Sequence, residues 1–408
     1  MQTENKHTLP GLKEKRYQQK KDIIRDLYRF ETLSKPEICR LTNMTTPTIS
    51  KIIDELIEEG WVLDQGQGAS IGGKRPHIFA LNPDAAYIMG IDLGREQLKI
   101  AIFSLRKEVI GSVQTFPSIL ESHDNTAILQ DLQQKIEKSL IDLKIPRAKI
   151  KVAGVSLPGL IDKEGNSFTY LSFDDCNIRQ KLEKMLGIPV FIDNDSSTMA
   201  LAEHTFGNAR DASHALCVSI SECIGMGMIL NGRPYSGFKG MAGEFGHIRI
   251  PGTEELCYCG KIGCLETVAA GRSIVKSARK AIEAGKATAI AKRAEDVTLE
   301  SIIQAAQEDD IFAIELLQRA SEHIGEALAG LIHLFNPELI VIGGKITKAH
   351  DIILSSIQHS IDKYTLTRLK SQCELKTSSL AEDACILGTL SLVMEHLYYD
   401  SESNFSLY

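Results

Sequence analysis

The chain has 408 residues, 43% of them apolar and 24% charged, which is too long for one ordinary domain and too apolar for a disordered chain. Its net charge of −7 is uneven: residues 1–80 carry 13 Lys/Arg against 11 Asp/Glu, so the remainder is acidic. That permits nucleic-acid binding through the N-terminal part and argues against DNA wrapped around the whole surface. No apolar run is long enough for a membrane span, the polar start Met1-Gln-Thr-Glu lacks a signal-peptide core, and nine cysteines fit a reducing cytoplasm.

In chain order, Asp22 to Phe30 has helical periodicity, with Ile23, Ile24 and Leu27 on one face and Phe30 at its edge. Ser34-Lys-Pro36-Glu37 reads as a capping box opening a short helix whose buried side is Ile38 and Leu41. After the turn at Asn43-Met44, Thr45 is placed to cap a helix to about Glu59, with Ile49, Ile52, Ile53, Leu56 and Ile57 inward. This spacing predicts a helix-turn-helix whose recognition helix offers Thr46, Pro47, Thr48, Ser50 and Lys51 to a major groove. Two short strands, near 61–63 and 77–81, flank a glycine-rich loop and form a wing, with Lys74 and Arg75 at the DNA backbone or minor groove. Asp54, Glu55, Glu58 and Glu59 should point away from DNA; a packing domain for a partner protein is the competing reading.

Residues 83–397 read as a second domain, and 398–408 as a polar, frayed tail. Strands are expected at 87–93, 97–104 and 108–116, followed by a helix at 125–143 and buried strands at 151–157 and 190–193. A similar order begins with 215–220 and 225–230, continues through helices at 271–285 and 299–334 to a strand at 338–342, and closes with a helix at 382–397. Strands in meander order followed by helical crossovers occur twice, which predicts two α/β lobes with a cleft between them.

His247, Cys257, Cys259 and Cys264 form the densest chemical signal. One imidazole and three thiolates within 18 residues make a complete tetrahedral set for Zn2+, and a closed shell with no open position makes that zinc structural. Gly260 and Gly263 let the loop fold back so that the thiolates converge. Zinc would gather Glu244 and Glu266 beside Asn194 and Asp195, and such acceptors suit a polyhydroxylated ligand. The bland alternatives are that Glu244 and Glu266 only orient zinc ligands, and that Asp195 is a helix cap. Phosphate cradles are poor. Asp92-Leu-Gly94-Arg95-Glu96 and Ser221-Glu222-Cys223-Ile-Gly225 each place a carboxylate in the loop, so neither ATP nor Mg2+ is expected.

Asp92-Leu-Gly94, Gly154-Val-Ser-Leu-Pro-Gly159, Asp193-Asn-Asp195, Ala242-Gly-Glu-Phe-Gly-His247 and the cysteine stretch to Glu266 together resemble the ROK family (repressors, open reading frames, kinases), and within it the sugar-responsive repressors. The resemblance implies a two-lobed actin/hexokinase-like, ribonuclease H-like α/β domain preceded by a winged helix-turn-helix. It implies that Asn194, Asp195, Glu244, His247 and Glu266 bind sugar, and that Asp195 is the general base if the chain is a kinase. The family's kinases carry Asp-x-Gly-Gly-Thr and Gly-Thr-Gly loops where this chain has Arg95-Glu96 and Glu222-Cys223. The expectation is a homodimer, or a higher homo-oligomer, on a palindromic operator, repressing carbohydrate genes and modulated by a sugar or sugar phosphate. A sugar kinase and a repressor released by a protein partner remain as alternatives.

Overall fold

In the computed structural model, which describes residues 11–68, 75–122, 124–293, 297–399 and 407–408, helix periodicity in the N-terminal part becomes a three-helix, three-strand unit. Its elements are α1 (Leu12–Phe30), β1 (Thr32–Ser34), α2 (Lys35–Thr42), α3 (Thr46–Glu58), β2 (Val62–Gln67) and β3 (His77–Leu81), with sheet order β1-β3-β2. Ile23, Ile24, Leu27, Ile38, Ile49, Ile52, Ile53 and Leu56 are buried together. Leu41 and Ile57, expected inside, are instead 45% and 38% exposed, because each falls at the edge of a short helix with no third layer to cover it. α1 begins ten residues before the expected Asp22. Its polar first half is held by ion pairs, Arg16 to Glu55 at 2.8 Å and Lys20 to Glu59 at 2.5 Å. Two of the late α3 acids therefore face α1.

The Glu37 carboxylate accepts from the Ser34 N–H at 2.8 Å, the reach-back half of the capping box. Thr45 does not cap α3: its hydroxyl meets the Thr48 hydroxyl at 2.9 Å. β1 was too short for periodicity to reveal; it exists because Ser34 and Leu33 pair with Ile78 and Phe79.

The first lobe contains β4 (Tyr87–Leu93), β5 (Gln97–Ser104), β6 (Gln114–Pro117), α4 (Asn125–Asp142), β7 (Ile150–Leu157), α5 (Ile178–Leu186) and β8 (Val190–Asn194). α6 (Asp195–Thr205) leads to the second lobe, with β9 (His214–Ile220), β10 (Ile224–Leu230), β11 (Arg233–Pro234), α7 (Glu266–Ala269), α8 (Gly271–Glu283), α9 (Ile290–Arg293), α10 (Leu299–Gln307) and α11 (Ile311–Phe335). β12 (Leu339–Gly343), α12 (His350–Tyr364), α13 (Thr367–Lys370), β13 (Glu374–Thr377) and α14 (Ala384–Tyr399) complete the order. The sheets run β6-β5-β4-β7-β8 and β11-β10-β9-β12-β13, an antiparallel meander extended by two parallel strands in both lobes. The largely helical stretch expected at 299–334 is divided into α10 and α11 at Glu308–Asp310, where Asp310 caps α11 by accepting from the Ala313 N–H at 2.9 Å.

α14 returns to the first lobe and crosses α6 at the back of the cleft. Gly154 and Gly388 permit this: a Cβ at Gly154 would lie 2.1 Å from the Thr389 carbonyl, and one at Gly388 would lie 2.0 Å from that of Thr198. The chain end differs from the frayed tail expected. Leu407 is buried, the Tyr408 ring sits 5.2 Å from Trp61, and its hydroxyl donates to Glu59 at 2.6 Å. No helix among the described residues is long and apolar enough to cross a membrane.

Candidate functional site

A cavity of about 420 Å³ opens between the lobes and is lined by Asp92, Arg95, Asn194, Asp195, Glu244 and His247, among others. β8 ends at Asn194 and α6 starts at Asp195, so both side chains are delivered by a strand-to-helix turn. Asn194 is the helix cap: its oxygen accepts from the Ser196 N–H at 2.9 Å, and its amide donates to the Gly159 carbonyl at 2.7 Å. Only part of the Asn194 amide is thus left for a ligand. Asp195 Oδ1 accepts from the Ser196 N–H at 2.8 Å. Burial pushes the Asp195 carboxyl up, and the Arg95 charge opposes the shift. Burial also lifts Asp92 to about 7 and Asp193 to about 6.

His247, Cys257, Cys259 and Cys264 come together as the spacing required: their donor atoms all lie within 4.8 Å of one another. Cys259 Sγ and Cys264 Sγ are 3.7 Å apart, and so are Cys257 Sγ and His247 Nδ1. A tetrahedral metal with bonds of ~2.3 Å sets ligand atoms ~3.8 Å apart, so the donors fit a metal ion. The loop is shaped by the Cys257 N–H donating to the Lys261 carbonyl at 2.8 Å, with Gly260 and Gly263 at φ of 82° and 81°. His247 turns its other nitrogen to the cavity, with Nε2 3.1 Å from the Tyr258 hydroxyl and 3.8 Å from Glu244. Glu266 is buried, and both its oxygens are engaged, one by the Ile224 N–H and one by Arg272, each at 2.9 Å. That engagement suits a scaffold better than a free sugar acceptor.

The loops read as poor phosphate cradles meet across the cleft. Arg95, after β4, donates to Cys223 Sγ at 2.6 Å, and Arg272 donates to the same sulfur at 2.5 Å. Lys345, just after β12, lies 2.6 Å from Glu96, 2.8 Å from Glu300 and 3.8 Å from Glu222. Gly225 and Gly227 have a packing reason: a Cβ at Gly225 would lie 2.0 Å from Ser196 Oγ, and one at Gly227 2.4 Å from the Ala200 Cβ. Sequence reasoning missed Arg272, Lys345 and Tyr258 as parts of the site. Of these, only Tyr258, between two ligand cysteines, carried a local signal.

On the N-terminal unit, Thr46, Pro47 and Lys51 are exposed and Thr48 and Ser50 half-buried, all on the first two turns of α3. Arg75 is exposed, while Lys74 lies outside the described residues.

The fold is a winged-helix unit joined to a two-lobed α/β cleft domain that carries a His/Cys cluster. The sequence model of the ROK family matches residues 88–396, and the chain belongs to that family. It is 29% identical over 385 residues to the xylose repressor of Bacillus spizizenii, covering 92% of this chain and 94% of that protein. It is also 29% identical over 375 residues to the DNA-binding transcriptional dual regulator NagC of Escherichia coli K12, covering 91% of each. A solved ROK family transcriptional regulator, described as a homolog of the E. coli Mlc protein, aligns with a TM-score of 0.77, at 28% identity, over 93% of this chain and 96% of that one. A ROK hexokinase from Thermus thermophilus aligns with a TM-score of 0.57, at 26% identity, over 75% of this chain and 97% of that one.

Proposed function

We propose that this chain is a DNA-binding transcription regulator, a repressor of carbohydrate-utilisation genes whose operator affinity is set by a sugar in the interlobe cleft. The observation that carries the reading is the contrast within that cleft. Acceptors for hydroxyls line one end at Asn194, Asp195, Glu244 and His247, whereas Glu96, Glu222, Glu300 and Lys345 fill the other with the chain's own charges. Regulator relatives that match more than nine-tenths of the chain support it further.

In this reading residues 1–82 bind DNA and residues 83–397 sense the sugar. Thr46, Pro47, Thr48, Ser50 and Lys51 enter the major groove, and Lys74 and Arg75 meet the backbone. His247, Cys257, Cys259 and Cys264 hold zinc, which supplies a fixed anchor for the loop that carries Glu244 and Glu266. A homodimer on a palindromic operator follows from the need to place two recognition helices roughly 34 Å apart. The protein works in the cytoplasm, where DNA and reduced thiols are found.

α14 gives a physical route for coupling. It starts at the cavity wall with Ala384 and Cys385, and Cys385 lies 3.5 Å from the Asp195 carbonyl. Fourteen residues after Ala384, about 21 Å along the helix, it reaches the N-terminal unit, where Tyr398 donates to the Tyr28 carbonyl at 3.3 Å. A sugar that prefers one lobe arrangement would thereby bias the position of the winged helix.

The test is operator binding titrated with a panel of sugars and sugar phosphates; affinity that no compound changes would refute sugar control. A coupled ADP assay with Mg2+-ATP across hexoses addresses the kinase reading, in which Asp195 is the base. Release from DNA by cell membranes or lysate, but by no sugar, would favour control by a protein partner.

A further inference from the structure

His247 faces the cleft, yet its cavity-side nitrogen already has a partner. Nδ1 lies 3.7 Å from Cys257 Sγ, on the side of the four-donor cluster, and Nε2 lies 3.1 Å from the Tyr258 hydroxyl. An imidazole that gives Nδ1 to a metal carries its proton on Nε2. The Nε2–H therefore donates to the Tyr258 oxygen, and the phenolic proton is turned away from the histidine. Tyr258 lines the cavity, as does Glu244, whose carboxylate is 3.8 Å from the same Nε2. A hydroxyl donor and a carboxylate acceptor thus flank one imidazole nitrogen at the open end of the cleft.

The tyrosine ring is held from several sides. Cys257 and Cys259 are its neighbours in the chain, so a metal on the cluster fixes the backbone before and after it. The Arg272 guanidinium lies over its face, 4.2 Å from the ring centre, a cation–π contact. Arg272 is in turn anchored by Glu266 at 2.9 Å and by Cys223 at 2.5 Å. The ring also meets His247 edge to face, with centroids 5.3 Å apart.

We propose that Tyr258 is a specificity-determining residue of the cleft: its hydroxyl donates to one hydroxyl of the bound sugar, which itself donates to Glu244. The inference rests on the sugar-cleft reading and adds a ligand contact within it. A hydroxyl both accepts and donates, so a donor and an acceptor side by side select it over a hydrogen at that carbon. An analogue without the hydroxyl leaves both groups unpaired. His247 acts through Tyr258, by fixing the direction of the phenolic proton. Arg272 is a positioning residue that holds the ring.

The experiment is calorimetric titration of the full-length, zinc-loaded protein with neutral pentoses and hexoses, then with each monodeoxy form of the tightest binder. In wild type, the deoxy form lacking the hydroxyl that Tyr258 meets is expected to bind about tenfold more weakly than its parent. Tyr258→Phe keeps the ring under Arg272 and deletes the donor. It should weaken the parent several-fold and bring the penalty at that one carbon to about twofold or less, leaving the penalties at other carbons unchanged. Glu244→Gln should lessen the penalty at the same carbon. Metal analysis and circular dichroism of both variants should match wild type. Deoxy penalties that Tyr258→Phe leaves unchanged at every carbon would overturn the assignment while the sugar sensor stands. Loss of zinc from Tyr258→Phe would also overturn it, by showing that the tyrosine serves the metal loop. Absence of wild-type binding by every sugar would overturn the sugar-cleft reading and this inference with it.

Discussion

The two ends of the interlobe cleft are built from different kinds of turn and carry different chemistry. At one end, the turn from β8 into α6 and the loop after β11 leave Asp195, Glu244 and His247 facing an open cavity. At the other end, the turns after β4, β9 and β12 bring Glu96, Glu222 and Lys345 into contact, so protein charges take up the space and also tie the lobes together. A kinase requires both ends to be open to ligands. A sensor needs one end for recognition and can use the other to couple the lobes.

The largest expected effect comes from removing the anchor of the open end. Cys259→Ser, or chelation of wild type, should release zinc and destabilise the second lobe by several kcal/mol; structural zinc sites in small domains are worth about 10 kcal/mol or more. Metal analysis and thermal melting measure this, and full zinc content in the variant would show that these four residues are not the site. Next, Asp195→Asn should weaken sugar binding on the order of 100-fold, since hydrogen bonds to a charged group contribute about 1.5–3 kcal/mol. Lys345→Met should change sugar affinity by less than about threefold, as seen by the same calorimetry. Similar losses in both variants would erase the distinction between the two ends.

At the DNA end, Lys51→Ala should lower operator affinity about tenfold and reduce the slope of log K against log salt by about one. An equal loss of sugar affinity would show that Lys51 serves the fold rather than the groove. A separate effect concerns pH. In the fold Asp92 holds its proton up to about 7, whereas the unfolded carboxyl releases it near 3.8. The folded state therefore binds more protons between those values, and Asp92's contribution to stability is present below about pH 4 and lost as pH rises through 7. Asp92→Asn should flatten that part of the profile by about 2–3 kcal/mol, read from melting temperatures between pH 5 and 8.

The His/Cys cluster was legible because its four residues lie within 18 positions and the glycines between them let the loop fold back. The duplicated strand order was legible from buried apolar runs and glycine turns. α5, α12 and β13 were not anticipated. α12 is weakly amphipathic, and β13 is a four-residue edge strand that exists only because β12 offers it a parallel partner. Arg272 was passed over for a similar reason. A lone arginine in an amphipathic helix looks solvated until the fold carries it to Cys223, 49 residues away.

The amino-acid order alone determined most of the helices and strands, the four residues of the His/Cys cluster, and the pairing of a helix-turn-helix pattern with a cleft domain. Those features depend on local periodicity, turn chemistry and short-range ligand spacing. Tertiary structure decided the fate of the charges. Glu55 and Glu59 were assigned to Arg16 and Lys20, Glu96 to Lys345, and Arg95 to a neutral thiol. Ion pairing depends on distances of a few ångströms between residues up to 249 positions apart, and no periodicity in the chain encodes such distances.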